Sequence, residues 1–378
     1  MYFTKASYYQ FRNLNSLEIK FSKKVNIFLG KNGQGKTNLL EGLYLLTQGQ
    51  SFRYGDNSNL IQKNKNESVL RAQVVDGDLE FEIAAQILKS RKNFLLNKKK
   101  TTSTEIQKKF SSVIFSPESL ASIKEGADLR RQLIDELLTS ADQKNIQLIA
   151  DFRKCLKIRN KILKNGLDGL TPENETKALL ESINPLFFRL GAELSVERVR
   201  ALRAVLPEIN NSMQYISRTQ NVDISVEYVI SGENSMSFTP EMIANSIKKR
   251  GYELENAERG AGTSLVGPQK HDVIFLYNQN NSRFFCSQGQ QRALILSFKM
   301  AQIVYHSKVH GTYPVLMLDD VLSELDQDKR EALISFLHGI NTQIFITTTD
   351  VHLSDSMKDE MRDELPAVFI VQDGNVEG

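Results

Sequence analysis

Gly30-Lys31-Asn32-Gly33-Gln34-Gly35-Lys36-Thr37 lies between an apolar run, Val25-Asn26-Ile27-Phe28-Leu29, and a helical pattern that opens at Asn38-Leu39-Leu40-Glu41. The order is strand, glycine-rich turn, helix, with the G-x-x-x-x-G-K-T spacing of a nucleotide-triphosphate loop. Glycines let the backbone bend tightly enough for its N–H groups to approach phosphate oxygens. The helix that follows points its positive end at the same anion. Lys36 is placed to reach the β and γ phosphates as a mobile point charge, and Thr37 to ligate Mg²⁺ through its hydroxyl. The pattern predicts ATP or GTP binding, and it leaves open whether the chain is a kinase, a GTPase, a pump or a DNA machine.

Composition narrows the class. The 378 residues can bury a substantial core and leave room for two domains. Lys and Arg exceed Asp and Glu by 48 − 45 = 3, too little to decide a nucleic-acid partner, so local clustering has to carry that question. Cys155 and Cys286 stand far apart without ligand-like companions, which fits a reduced, cytoplasmic protein. The mean hydropathy is −0.33, and no apolar run approaches the roughly 18 residues of a membrane span.

Outward from the loop, Leu17-Glu18-Ile19-Lys20-Phe21 and Leu79-Glu80-Phe81-Glu82-Ile83-Ala84 alternate as strands do, and Asn97-Lys98-Lys99-Lys100 reads as a charged hairpin turn. From about 125 to 215 the periodicity is helical. Pro314-Val315-Leu316-Met317-Leu318 and Thr342-Gln343-Ile344-Phe345-Ile346 are continuous apolar strands of the kind found inside α/β sheets. The layout predicts an α/β nucleotide domain built from both chain ends, 1–124 and 251–378, with a mainly helical insertion at 125–250.

Two further segments answer the loop. The strand Leu316-Met317-Leu318 ends in Asp319-Asp320: Asp319 is placed to hold Mg²⁺, and Asp320 to orient and deprotonate an attacking water. Ser287-Gln288-Gly289-Gln290-Gln291-Arg292 opens a helical run and builds a second anion site from backbone donors, centred on Ser287, Gly289 and Gln290. Taken alone, the first is also readable as a solvated strand end and the second as a plain N-cap. In chain order after a phosphate loop they resemble the motifs of ABC-type ATPases. In that class, the signature segment of one subunit closes over the γ-phosphate held by another.

A more specific resemblance follows. Phe11-Arg12-Asn13-Leu14, Gly30–Thr37 with Asn38–Glu41, Gly49-Gln50-Ser51-Phe52-Arg53, Phe115-Ser116-Pro117-Glu118, Gly267-Pro268-Gln269-Lys270-His271-Asp272, Ser287–Arg292 and Asp319–Asp326 resemble successive blocks of the bacterial RecF family. The blocks span residues 11 to about 350. The resemblance implies an ABC-type P-loop ATPase head like that of SMC proteins, without the long coiled coil. It further implies a homodimer formed on ATP and Mg²⁺ that binds single-stranded, gapped or junction DNA. With RecO and RecR, such a protein helps load RecA in gap repair and replication recovery and supports the SOS response. Gln269 and Lys270 depart from the histidine and arginine usual there. Ile344–Thr348 leads to Thr349-Asp350 rather than to a histidine switch, and His352 reads as an ordinary loop residue. A weak, DNA-stimulated ATPase with turnover below about 1 per second, used as a dimerisation switch, is the expectation against a median enzyme of about 10 per second.

Candidate DNA contacts are the basic helix face Arg153, Lys157, Lys161, Lys164, the turn Lys98, Lys99, Lys100, and Arg130-Arg131. Solvated basic surface is the plain alternative for each. Phosphate contacts of this kind are blind to sequence. A phosphate-loop kinase would have no use for Ser287–Arg292, and a transporter ATPase subunit would be expected to carry the histidine switch and lack the long helical insertion.

Overall fold

Continuous apolar strands and alternating ones separate into different sheets here, as burial on two faces or on one demands. The computed structural model describes residues 1–53, 55–218, 221–350 and 366–378. Two compact units are distinguished: Met1–Leu120 with Tyr215–Ser217 and Ile303–Gly378, and Ala121–Gln214 with Arg218–Gln302.

The first unit holds two sheets. In one, β1 (Tyr2–Phe11), β2 (Leu14–Lys20), β4 (Glu67–Asp76), β5 (Leu79–Leu88), β6 (Lys92–Leu96) and β7 (Lys99–Thr101) run antiparallel in the order β2-β1-β4-β5-β6-β7. The other contains β3 (Val25–Leu29), β8 (Ser112–Phe115), β13 (Val315–Asp319), β14 (Ile344–Thr348), β15 (Ala367–Gln372) and β16 (Asn375–Glu377), in the order β16-β15-β3-β14-β13-β8. Its pairings are parallel except at the β15–β16 edge. Every residue of β13 and β14 is buried, the pattern expected for strands covered on both faces.

The helix Lys36–Gln48 packs against strands of both sheets. This explains why its apolar positions, Leu39, Leu40, Leu43, Tyr44, Leu45 and Leu46, are not confined to one stripe. Gly42 lets it sit on the Tyr8 ring, where a Cβ would collide, and the Tyr8 hydroxyl donates to the Leu39 carbonyl at 2.8 Å. The helix stops at Gly49, left-handed at φ 66°.

The second unit is helical around one small antiparallel sheet, β10-β9-β11-β12, formed by β9 (Ile224–Ile230), β10 (Glu233–Asn234), β11 (Asp272–Tyr277) and β12 (Asn280–Asn281). Its long helices are Ala127–Ala141, Gln143–Leu167 and Glu173–Ser217, whose last three residues group with the first unit. The sequence reading assigns 251–302 to the nucleotide domain, whereas the compact units place it in the second. The reason is strand pairing: Asp272–Tyr277 is in register with Ile224–Val229, which ties the two segments together. The helix beginning at Gln288 runs to His310 and passes from the second unit into the first at Ile303.

Candidate functional site

The phosphate loop leaves β3 and enters the helix Lys36–Gln48 through Gly33 and Gly35, both at positive φ (80° and 117°), a conformation that favours glycine. No side chain caps the helix and no acid lies in its first turn, so its N–H groups and positive end are left for an anion. Lys36 is only 3% exposed, and its Nζ donates to the Gly30 carbonyl at 2.7 Å and the Lys31 carbonyl at 3.1 Å. Burial lowers its pKa, and the charges of Asp320 and Asp319 oppose that shift. The ammonium is thus held over the loop by weak neutral acceptors that a phosphate would outcompete.

Asp319, at the carboxyl end of β13, accepts from Thr37 Oγ1 at 2.9 Å and from Thr347 Oγ1 at 2.8 Å. Because β14 lies between β3 and β13, Thr347 is the bridge that lets these two motifs meet. Burial pushes the Asp319 carboxyl up to about 6, against the two threonine hydrogen bonds, and the charges of Asp320 and Glu118 raise it further. Asp320 follows in the left-handed conformation (φ 49°), with its N–H on Thr347 Oγ1 at 2.9 Å. Buried oxygens Asp320 Oδ1 and Glu118 Oε2 have no hydrogen-bond partner. Thr37 Oγ1 and Asp319 Oδ1, 2.9 Å apart, are hard oxygen donors of the kind Mg²⁺ takes from a protein while keeping several of its waters. The residues present fit the cation.

A cavity of about 480 Å³ opens over the loop. Asn32, Gly33, Gly35, Lys36, Thr37 and Asp320 line it as the motifs require, together with Arg12, Asn13, Asn38, Arg53, Asn59 and Ile61. Arg12 and Arg53 are functional candidates that the sequence reading does not single out. Both rest on Glu41, which is fully buried: Arg12 donates through Nε and Nη2 at 2.9 and 2.6 Å, and Arg53 Nη1 lies at 3.7 Å. A carboxylate in the run Leu39-Leu40-Glu41-Gly42-Leu43 needs a cation. That requirement was the available signal.

Ser287, Gly289 and Gln290 stand at the start of the helix Gln288–His310, in the second unit. Ser287 Oγ accepts from the Gln290 N–H at 3.2 Å, and Gln290 Oε1 accepts from the Ser287 N–H at 2.8 Å. This is a reciprocal capping box, so the N-cap reading of the segment describes the structure as it stands. The serine O–H proton is not used in it.

The DNA candidates separate. Lys98, Lys99 and Lys100 are exposed at the β6–β7 turn, with Asn97 and Lys98 both at positive φ. Lys157, Lys161 and Lys164 are exposed on one helix of the second unit, and Arg153 reaches Asp135 at 3.3 Å from the same helix. Arg130 is a correction: it is buried, and its Nε and Nη2 each donate to Asp272 at 2.9 Å. Arg131 donates to the His271 carbonyl at 2.7 Å and pairs with Asp128, so it too is committed within the unit.

Those bonds give Gly267–Asp272 a role. Its Pro268 carbonyl accepts from Arg198 at 2.8 Å, its His271 ring meets the Tyr228 hydroxyl at 3.0 Å, and Asp272 holds Arg130. Nearby, Arg159 and Glu258 form a buried ion pair with Ser264 as a further acceptor. Burial first, then the charges of Arg198 and Arg131, push the His271 pKa down to about 3. Thr348 Oγ1 receives the Asp350 N–H at 3.0 Å, while His352 lies outside the described residues. No described helix is long and apolar enough to cross a membrane.

The model of the RecF/RecN/SMC N-terminal domain family matches residues 2–377. The DNA replication and repair protein RecF of Geobacter sp. (strain M21) is 33% identical over 374 residues, covering 97% of each chain. A solved structure of the recombination mediator protein RecF with ATP, in the RecFOR pathway, superposes with a TM-score of 0.83 at 28% identity, over 100% of this chain and 98% of that one. An Smc head bound to the C-terminal winged-helix domain of ScpA shares the fold at a TM-score of 0.54 and 15% identity, over 100% and 96% of the two chains.

Proposed function

The chain belongs to the RecF family of DNA replication and repair proteins, and on that premise we propose that it is an ATP-gated, DNA-binding homodimer of recombinational gap repair and replication recovery. The observation that carries this reading is the convergence of Thr37, Asp319 and Thr347 beside Lys36, with an orphaned Asp320 oxygen at the same cavity. Gly30–Thr37 binds the triphosphate through its backbone donors and Lys36, and Arg12 and Arg53 add positive charge to the cavity wall. Thr37 and Asp319 would hold Mg²⁺, which supplies neutralisation of the phosphate oxygens when bound. Asp320 orients a water and takes its proton. Because Ile344–Thr348 leads to Thr349-Asp350 and not to a histidine switch, turnover is slow and serves as a timer for the dimer.

Ser287, Gly289 and Gln290 of a second copy complete the site: the serine O–H and the positive end of the capped helix face the γ-phosphate held by the first. DNA is held through its phosphates by Lys157, Lys161 and Lys164, with Arg153 and the Lys98–Lys100 turn as further contacts. The protein is cytoplasmic and prefers single-stranded, gapped or junction DNA. With RecO and RecR it assists the loading of RecA and so supports the SOS response. Sedimentation velocity with and without ATP and gapped DNA tests the reading. A mass that doubles on ATP and a dimer that comigrates with the DNA are expected; an unchanged monomer that ignores DNA would contradict it.

A further inference from the structure

The phosphate loop is held from outside its own motif. β15 pairs in parallel with β3, the strand that feeds the loop, and β15 and β16 close on the turn Asp373–Gly374. Both turn residues have positive φ, 50° and 76°, the type I′ geometry that Asp-Gly favours. This turn reaches Gln34. The Gly374 N–H donates to the Gln34 carbonyl at 3.0 Å, and the Asp373 N–H donates to Gln34 Oε1. Asn13 Nδ2 is a second donor to the same carbonyl, at 3.2 Å. The packing leaves no space for one added carbon: a Cβ on Gly374 would strike the Asn13 carbonyl oxygen, and one on Gly30 the Val371 carbonyl oxygen.

Within the run Gly33–Thr37, Gln34 is the residue that does not line the cavity. Its carbonyl belongs to the same peptide plane as the Gly35 N–H, and in a trans peptide those two groups point in opposite directions. The Gly374 N–H draws the carbonyl towards the hairpin, with Asn13 as a second donor from the β1–β2 turn, and the Gly35 N–H at the other edge of the peptide is thereby turned away from the hairpin, on the residue that lines the cavity. We propose that the Asp373–Gly374 turn is a positioning element for the phosphate loop, acting through Gln34 to hold the Gly35 N–H in its anion-binding orientation before nucleotide arrives. The proposal rests on the reading of Gly30–Thr37 as the nucleotide site. It adds that the end of the chain, far from the motif in sequence, sets how well the motif works.

The test is ATP affinity by titration calorimetry for the full chain, for Gln34→Met, for Gly374→Ala and for the double variant. Gln34→Met keeps the side-chain length and removes the acceptor for the Asp373 N–H, weakening ATP about 5-fold, the effect of one net hydrogen bond. Gly374→Ala displaces the turn through both φ and the Cβ, weakening ATP at least about 20-fold. Because both act through one contact, the double variant is no weaker than Gly374→Ala alone. The amide resonance of Gly35 without nucleotide shifts in both single variants while those of residues remote from the loop do not, a readout that loss of overall stability alone would not confine to the loop. Gln34 sits on a half-buried loop, so its variant keeps the test valid if Gly374→Ala does not fold. Wild-type affinity in Gln34→Met, or strictly additive losses in the double variant, overturns the positioning role while leaving the nucleotide site intact. A wild-type chain that does not bind ATP overturns both.

Discussion

In the first unit, Asp320 keeps a buried carboxylate oxygen without a partner near Lys36, whose ammonium rests on two loop carbonyls. In the second, Arg159 and Glu258 are buried more deeply than Asp320, at 2% and 1% exposure, yet their charges are matched by two hydrogen bonds to each other and by Ser264. The same holds for Arg130 with Asp272 and for Arg198 with Asp135. Burying an unmatched charged group costs several kcal/mol, so a fold keeps one where a ligand completes it. Matched charges describe architecture, and incomplete ones mark the site.

Breaking the matched set should give the largest effect. Arg159→Ala leaves Glu258 buried without its cation and should destabilise the second unit by about 3–5 kcal/mol in urea unfolding, whereas replacing both residues by Met and Leu should recover most of that loss. If Arg159→Ala unfolds like the wild type, the architectural reading of the pair is wrong. Breaking the incomplete set should act on ligand instead of fold. Lys36→Ala should weaken ATP by at least about 100-fold, roughly 2.7 kcal/mol, with little change in unfolding of the nucleotide-free chain. Retained ATP affinity would remove the loop from the account.

A smaller effect comes from pH. His271, enclosed by Tyr228, Ser195, Arg198 and the Arg131 contact to its carbonyl, is neutral in the fold with its pKa lowered to about 3. The unfolded chain, near the ordinary 6.5, takes up this proton first as pH falls, so the contribution is complete above pH 6.5 and is lost progressively down to about 3. Between pH 7.5 and 5 the loss should be roughly 2 kcal/mol. In His271→Asn the drop in unfolding free energy over that range should be smaller by the same amount, which also removes the parallel contribution of His306 from the comparison. Equal drops would show that His271 is not held neutral. The weakest effect per residue belongs to surface lysines. The triple variant Lys157→Ala, Lys161→Ala, Lys164→Ala removes six lysines from the dimer and should bring the log–log salt slope of DNA binding from near −5, for about six phosphates, most of the way to zero. An unchanged slope would move the DNA face elsewhere.

How far the sequence reaches follows from the same contrast. Gly30–Thr37 and Asp319-Asp320 were legible because their chemistry lies in contiguous residues flanked by apolar strands, and the Asn97–Lys100 turn because backbone conformation selects those residue types. Thr347 was not legible, since only strand order brings it between two motifs 282 positions apart. Arg130 and Arg131 were misread as surface charge because their partners, Asp272 and the His271 carbonyl, are 142 and 140 residues away. Residues 251–302 group with the second unit for a similar reason. Helical and strand periodicity identifies an element but not the sheet that captures it.

On the proposed reading, a second copy of the chain finishes the incomplete site. The direct measurement is sedimentation velocity of the wild type and Ser287→Arg with saturating ATP, with ATP affinity of each measured in parallel. A doubled mass for the wild type, and a Ser287→Arg chain that binds ATP equally well but remains monomeric, are the predicted results. A Ser287→Arg dimer of wild-type strength would contradict the claim.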